Sequence, residues 1–434
     1  MKKLIFLTLL AVSVTFPISR ALSMEFAPVG SDSISMGGAG VASAKGGYAP
    51  YYNPALLAEQ ENGVDISFAL SAAVRNVDLA EQIDMLADLN FNDLINNILN
   101  NPSESTESIN KLLEFKNELF TIPEKNGVQI MPGINLGCQI KQFGFGLYTV
   151  SDATATAVID QAHNSLIIEG DYESITGYVN LDDPNNPVQS NETEYIDHSI
   201  EYAINNGLTY VDLTGLAYVE IPISGGYQFD TKAGKFDVGG SLKVMPGYTV
   251  DKDIKIDTGT GDILSDIRKN EESSVSWGID LGLLYIPPKL DNLSIGLVGK
   301  NLNTPKFKTA PPNNDLKVKP MARMGIAYGF LGDRLIAALD ADLTRNETYI
   351  PGYYSQYIGG GINFRPIRWI SIRAGLMQNI QESIEGVIIT GGIGLGLKIF
   401  QFDLSALSST KTSSYNGTTI PDYAKVQFGI TSKW

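Results

Sequence analysis

Residues 424–434 read AKVQFGITSKW, and this closing stretch decides the fold. Val426, Phe428, Ile430 and Trp434 fall on one side of an extended strand, while Lys425, Gln427, Gly429, Thr431 and Lys433 fall on the other. Side chains alternate faces along a strand, so this segment shows apolar groups one way and polar groups the other. That is the requirement for a strand between a bilayer and an aqueous lumen. Ser432 departs from the pattern, standing on the lipid side where an apolar residue is expected.

The same alternation runs backward through more than half the chain. Phe236, Val238, Leu242, Val244, Tyr248 and Val250 share a face, and so do Trp277, Ile279, Leu281, Leu283 and Tyr285. Further runs follow at 293–297, 322–330, 335–343, 358–364, 370–376, 387–397 and 402–406. Their opposite face is unlike a soluble core, because it carries charges and glycines. Arg323, Asp340, Asp342, Arg365 and Arg373 lie there and are expected to form a charge network in the lumen, in preference to a metal site. Gly391–Leu397 (GGIGLGL) has glycines at dinucleotide-like spacing but no strand–helix–strand context, so the glycines read as space on an inward strand face.

Connections alternate between short and long. Short turns are predicted at Asp230–Gly234, Pro287–Asn292, Gly332–Asp333, Pro366–Arg368 and Phe400–Gln401, with longer polar segments at 257–273, 304–318, 347–354, 381–385 and 412–421. Phe229, Tyr285, Phe330, Phe364, Trp369, Phe402 and Trp434 gather at the short-turn end, as an interfacial girdle does. Extending the parity adds strands near 63–77, 127–140, 143–159 and 207–229. The expectation is an all-β membrane protein: an up-and-down transmembrane barrel of about 14 antiparallel strands with both termini periplasmic. Two insertions interrupt it. Residues 78–126 have helical periodicity, and residues 160–206 form an acidic, Asn-rich loop; by parity both are extracellular.

Composition agrees. Lys2 and Lys3 precede an apolar run at Leu4–Phe16 and the small-residue exit Ala21–Leu22–Ser23, so residues 1–23 read as a signal peptide. A single cysteine, Cys138, excludes an intrachain disulfide, and no later run is apolar enough for a membrane helix. The net charge of −16 argues against direct binding of nucleic acid. The two histidines, His163 and His198, fall in the acidic segment, and no serine has an elbow-like setting, so no enzyme activity is expected. Asp257 and Asp262 lack the full pattern of a calcium loop, and no cofactor is expected.

Before the first strand stand SMGGAGVASA (Ser35–Ala44) and YYNPALLA (Tyr51–Ala58). Glycine permits positive φ and close approach to a wall, and Asn-Pro sets a turn ahead of a short apolar tail. Residues 24–62 are therefore expected to fold back into the barrel of residues 63–434 as a plug. A phosphate-binding reading fails, as no strand precedes the glycines and no Gly-Lys-Ser/Thr follows.

These two motifs resemble the N-terminal signature of the FadL-like outer-membrane barrels, which include the PorV secretion barrels. With NPALLA and the insertion that follows, the chain most resembles the TraF-type conjugal-transfer branch. The resemblance implies that Gly37, Gly38, Gly40, Asn53 and Pro54 belong to the luminal hatch. It implies a plugged channel for hydrophobic or amphipathic small molecules or, alternatively, a barrel component or accessory of a conjugal transfer or secretion apparatus. Expected partners are outer-membrane lipid, the barrel-assembly machinery, and a hydrophobic ligand or transfer proteins. Phe428, Gly429, Ile430 and Trp434 are the expected assembly signal.

Overall fold

The computed structural model describes residues 21–22, 24–58, 63–82, 91–256, 271–310, 315–332, 334–397, 399–415 and 417–433. The expected signal peptide lies outside these residues except for Ala21–Leu22, as do the end of the expected hatch at 59–62, Asp257, Asp262 and Trp434.

Fourteen antiparallel strands close into a barrel. In chain order they are β1 (Val64–Val77), β2 (Gly127–Ile140), β3 (Phe143–Val158), β4 (Tyr210–Thr231), β5 (Gly234–Lys255), β6 (Glu271–Ile286) and β7 (Leu293–Lys300). The remainder are β8 (Met321–Phe330), β9 (Leu335–Asp342), β10 (Tyr357–Ile367), β11 (Ile370–Asn379), β12 (Val387–Gly396), β13 (Phe400–Ser409) and β14 (Tyr423–Lys433). Each pairs with its neighbours in sequence, and β1 closes on β14 with Phe68 opposite Ile430 and Ser71 opposite Gln427. Closure removes every sheet edge, which hydrocarbon demands because it offers no hydrogen bonds to unpaired backbone.

The alternation sorts side chains as expected. Leu376, Ile389, Leu404 and Val426 are each more than half exposed on the outer wall, whereas Arg75, Lys243, Asp280 and Arg323 are buried inside. An outer surface of this kind is stable against lipid, not water. Phe229, Phe330, Phe364, Trp369 and Phe402 are exposed toward the rim of short turns. Several turns are tighter than or displaced from their predicted places: Asp230–Thr231 belong to β4 and Gly234 to β5, Pro366–Ile367 belong to β10, and Phe400–Gln401 belong to β13. Ser432 keeps the outward register between Ile66 and Phe400 but is itself covered, and its hydroxyl donates to Ile399 O at 3.1 Å.

The two insertions build one domain. Helices Phe91–Asn100 and Thr106–Leu119 pack with strands Ile167–Glu169 and Tyr178–Asn180 and helix Ile200–Asn205 around a shared apolar core that includes Ile98, Leu112, Phe115, Leu166, Val179 and Ile204. The acidic segment is thus a folded cap and not a solvated loop. Most of its charges face outward, Glu201 being buried, while apolar residues face the helices, and Lys116 pairs with Asp182 at 2.5 Å across the junction.

The connection 301–320 also departs from a simple surface loop. Lys306–Phe307 pairs with Leu316–Val318, and Ala21–Leu22 runs parallel to Lys317–Val318. Phe307 is buried against Tyr218 with ring centroids 5.2 Å apart, so this connection folds into the lumen at the long-loop end. The first described residues therefore lie at that end, and residues 24–58 pass down the lumen to the start of β1. β14 ends at the short-turn rim where β1 begins, whereas Met24 and Phe26 of this segment are buried within the barrel.

Candidate functional site: the filled lumen

Residues 24–58 are held against the wall by polar bonds along their whole course. Glu25 pairs with Arg75 of β1 at 2.7 Å, and Arg75 also binds Glu385 at 2.6 Å and Gln129 at 2.9 Å. Lys425 of β14 donates to Pro28 O at 2.7 Å. Tyr51 and Tyr52 donate to the carbonyls of Ala27 and Val29 at 2.7 and 3.0 Å, folding the segment onto itself. Their rings pack with Phe26, over which Arg323 lies at 4.2 Å, and Lys300 sits 3.7 Å above Tyr51. Cations over buried ring faces fix the segment without requiring a carboxylate at each.

The expected hatch residues are all at contacts with the wall or at turns of the segment. Gly37 has φ of +67°, and its N–H donates to Thr390 of β12 at 3.0 Å. Opposite it, a Cβ on Gly375 would come within 2.6 Å of Gly37 N. Glycine on both sides lets two backbones touch. Gly38 has φ of +82° and donates to Ser33 O at 2.8 Å, closing the short helix Ser31–Ser35. Gly40 and Val41 both donate to Asp340 of β9. Asn53 is fully buried: its amide donates to Val41 O at 3.0 Å and to Leu283 O of β6 at 3.2 Å, and its carbonyl accepts from Ala55 N at 3.0 Å. Pro54 lies against Gly239 of β5, where a side chain would collide with its backbone.

The expected charge set divides in two. Arg323 binds Asp342 at 2.6 Å, and neighbouring Asp340 serves Gly40 and Val41. Arg373 binds Asp403 at 2.7 Å and Asp32 at 2.5 Å, with Arg365 3.9 Å from Asp32. Two partners, Asp32 and Asp403, were not legible as such, since one sits in the N-terminal segment and the other two strands from Arg373. A third charge cluster was missed altogether: Lys243 binds Glu220 and Asp280 at 2.7 and 2.9 Å, and Lys300 reaches Glu220 at 3.2 Å. Inward parity marks each residue singly; partnership depends on barrel closure. Met245, Val298 and Leu284 are buried in three separate clusters against the N-terminal segment and the infolded connection. In the assembly stretch, Phe428 is exposed outward while Gly429 faces Ser31 inside. His163 and His198 lie in the cap, 3.1 Å from Asp160 and 3.9 Å from Glu194.

Two cavities flank the segment. One, of about 430 Å³, opens toward the short-turn rim and has charged groups among its lining, including Asp32, Lys45, Asp65, Arg365, Asp403 and Lys433. The other, of about 40 Å³, lies behind β2 and β3. There the ladder between these two strands is interrupted: between the pairs Ile130–Ala153 and Asn135–Tyr148, residues 131–134 and 149–152 form no pairs with each other, though each stretch stays paired to its other neighbour. Thr149 donates its hydroxyl to Ile134 O at 2.8 Å, and the Ser151 hydroxyl donates to Pro132 O. Pro132 has no N–H to give, which is why proline in a sheet falls where pairing stops.

A family model described as "F plasmid transfer operon, TraF, protein" matches residues 50–342. A search of curated proteins finds no match. Similar solved structures include the toluene transporter TbuX of Ralstonia pickettii, at 12% identity and TM-score 0.49, covering 94% of this chain and 98% of that one. The CymD monoaromatic hydrocarbon channel aligns at 13% identity and TM-score 0.47 over 95% and 99% of the two chains. A FadL homologue of Pseudomonas aeruginosa aligns at 10% identity and TM-score 0.45 over 96% and 99%.

Proposed function

The chain belongs to the family of the TraF protein of the F plasmid transfer operon, and from that premise we propose an outer-membrane barrel whose plugged lumen passes hydrophobic or amphipathic small molecules. The interruption between β2 and β3 carries this reading. It is a weak place in the wall, closed by two hydroxyls in place of four backbone pairs, and it lies beside a cavity bordered by Met24, Val29, Met131, Pro132, Val150 and Tyr349. At about 40 Å³ that cavity has room for water but not for a hydrocarbon ring. Passage therefore requires the N-terminal segment to shift. An apolar solute that leaves sideways enters lipid directly and avoids the charge-lined chamber near the short-turn rim.

In this arrangement residues 1–23 direct export, residues 24–62 are the plug, and the cap of 78–126 and 160–206 is extracellular. The short-turn rim is periplasmic, and Phe428, Gly429, Ile430 and Trp434 engage the assembly machinery. The test is a cysteine pair, Gly133→Cys with Val150→Cys in a Cys138→Ser background, placed across the interruption. Uptake of an apolar fluorescent solute by vesicles holding the reduced protein is expected to fall on oxidation and return with reductant. Undiminished uptake after confirmed cross-linking overturns the sideways route, and uptake no faster than in protein-free vesicles overturns the channel.

A second reading, an accessory of a transfer apparatus, is favoured by the family match and by the folded cap, which offers a rigid surface. Specific recovery of transfer proteins with the detergent-solubilised barrel, lost when the cap is deleted, supports it; recovery of the barrel alone counts against it.

A further inference from the structure

Two of the longer connections turn inward over the outer end of the plug. In the first, between β9 and β10, Asn346–Glu347 pairs with Tyr354–Ser355 to make a short hairpin, with Gly352 near its tip at φ of +71°. Tyr349 and Tyr353 of this hairpin are 3% and 1% exposed, and Tyr349 shares an apolar cluster with Met24 of the plug. In the second, between β11 and β12, Glu385 is fully buried although connections ordinarily run over the surface. A carboxylate withdrawn from water requires a partner, and Glu385 finds it in Arg75 of β1.

Arg75 joins these connections to the plug. Its Nε donates to Glu385 at 2.6 Å, while its Nη2 donates to Glu25 at 2.7 Å and to the Tyr357 hydroxyl at 2.9 Å. Tyr357 in turn donates to Glu385 at 2.7 Å, and the guanidinium lies 5.5 Å from the centre of the Tyr353 ring. A guanidinium presents its donors in a rigid planar fork, so one side chain sets where both carboxylates stand. Glu25 of the plug is thereby tied to the connection that carries Glu385. Lifting that connection strips a buried cation of one counter-charge.

The same two connections are fixed to the roots of the cap. Lys125, two residues before β2, pairs with Glu382 at 3.1 Å, and Glu382 also accepts the Tyr354 N–H at 3.4 Å, which links one connection to the other. Val77, the last residue of β1, forms an apolar cluster with Ile350, Tyr353 and Ile384. Val77 and Lys125 bracket the first insertion, so both of its roots touch the connections that cover the plug. We propose that residues 347–354 and 381–386 form a lid, latched to the plug through Arg75 and held by the cap, which opens before the plug shifts. The order of steps rests on the channel reading given above; the cover over the plug does not.

Access to the plug tests the lid. The reporter is Ala27→Cys in a Cys138→Ser background, in the full-length barrel in detergent, treated with a bulky maleimide. Glu385→Ala removes the lid's buried anchor and is expected to speed labelling at least about tenfold. Glu382→Ala, which frees Lys125, is expected to speed it less. Heat-modifiable gel mobility reports that each variant is folded, and Glu382→Ala decides if Glu385→Ala does not fold. Labelling at the parent rate in every folded variant overturns the lid. For the order of steps, Lys125→Cys and Glu382→Cys are bridged by a reducible bis-methanethiosulfonate in the Cys138→Ser background. Uptake of an apolar fluorescent solute by vesicles is expected to fall on bridging and to return with reductant. Undiminished uptake after confirmed bridging overturns the lid as the first step. Uptake by the unbridged protein no faster than in protein-free vesicles fails the channel reading instead, and the labelling rates still decide the lid.

Discussion

Asp340 on β9 accepts the backbone N–H of Gly40 at 2.9 Å, a bond between residues 300 apart in sequence. The same oxygen accepts Val41 N–H at 2.9 Å, so one carboxylate secures a turn of the N-terminal segment to the wall. Arg323 beside it is paired with Asp342 and also reaches Gly38 O at 3.4 Å. The wall is thereby shaped to present an acceptor where the segment presents two donors.

Removing that acceptor is expected to loosen the plug while sparing the barrel. Asp340→Ala leaves two buried amides unpaired, at about 1–3 kcal/mol for such a group. Planar-bilayer recordings are expected to show frequent openings absent from the parent protein, with heat-modifiable mobility unchanged. A variant as silent as the parent removes Asp340 from the plug's anchorage.

The contact between Gly37 and Gly375 predicts a steric effect without loss of any polar group. Gly375→Val places a branched side chain where even a Cβ would stand 2.6 Å from Gly37 N. The plug is expected to be displaced, and proteolysis within residues 30–45 of the folded barrel to accelerate several-fold. Gly391→Val is the control, since its nearest neighbour would be 3.7 Å from a Cβ and it meets no part of the plug.

Cap stability is expected to depend on pH through Glu201. Burial pushes its carboxyl up to about 7, against the opposing backbone bond from Glu169, whose N–H it accepts at 2.8 Å. A group whose folded value is raised contributes stability that is complete below its unfolded value, near 4.5, and is lost as pH climbs through about 7. Proteolytic nicking of the cap should therefore be faster at pH 8 than at pH 5.5 after correction for protease activity. Glu201→Gln, always neutral, is expected to protect the cap at pH 8 by up to about 3 kcal/mol and to flatten this dependence. Equal pH dependence in parent and variant excludes Glu201 as its source.

The outward face of β14 predicts a penalty set by lipid. Phe428 is 43% exposed on that face, and Phe428→Arg is expected to lower folding free energy in vesicles by about 2–4 kcal/mol if it sits near the midplane. Denaturant titration against Phe428→Leu, expected to be nearly neutral, measures the difference.

Alternation made the wall legible: β1, β2 and β3 begin and end within a residue or two of their expected bounds, because one face of each had to be apolar throughout. The glycine motif announced a close-packed segment for an equally local reason, since positive φ at Gly37 and Gly38 is a property of the residue. Partnerships were not legible. Arg373 meets Asp32 and Asp403 only because a barrel brings distant strands around a shared interior, and Arg75 gathers Glu25, Gln129 and Glu385 from three parts of the chain. The cap misled for a related reason: residues 160–206 bury their apolar side chains only against the helices of the first insertion, so that segment looked like a loop.

By itself, then, the sequence of this protein determined that a membrane-facing barrel forms, how many strands it has, and that glycine-rich backbone precedes them. Period-two patterning and glycine's backbone freedom are local and are written residue by residue. Tertiary structure alone decided how the lumen is filled, which charges pair and where the ladder opens. Those follow from closure, which juxtaposes residues hundreds of positions apart at distances that no spacing along the chain encodes.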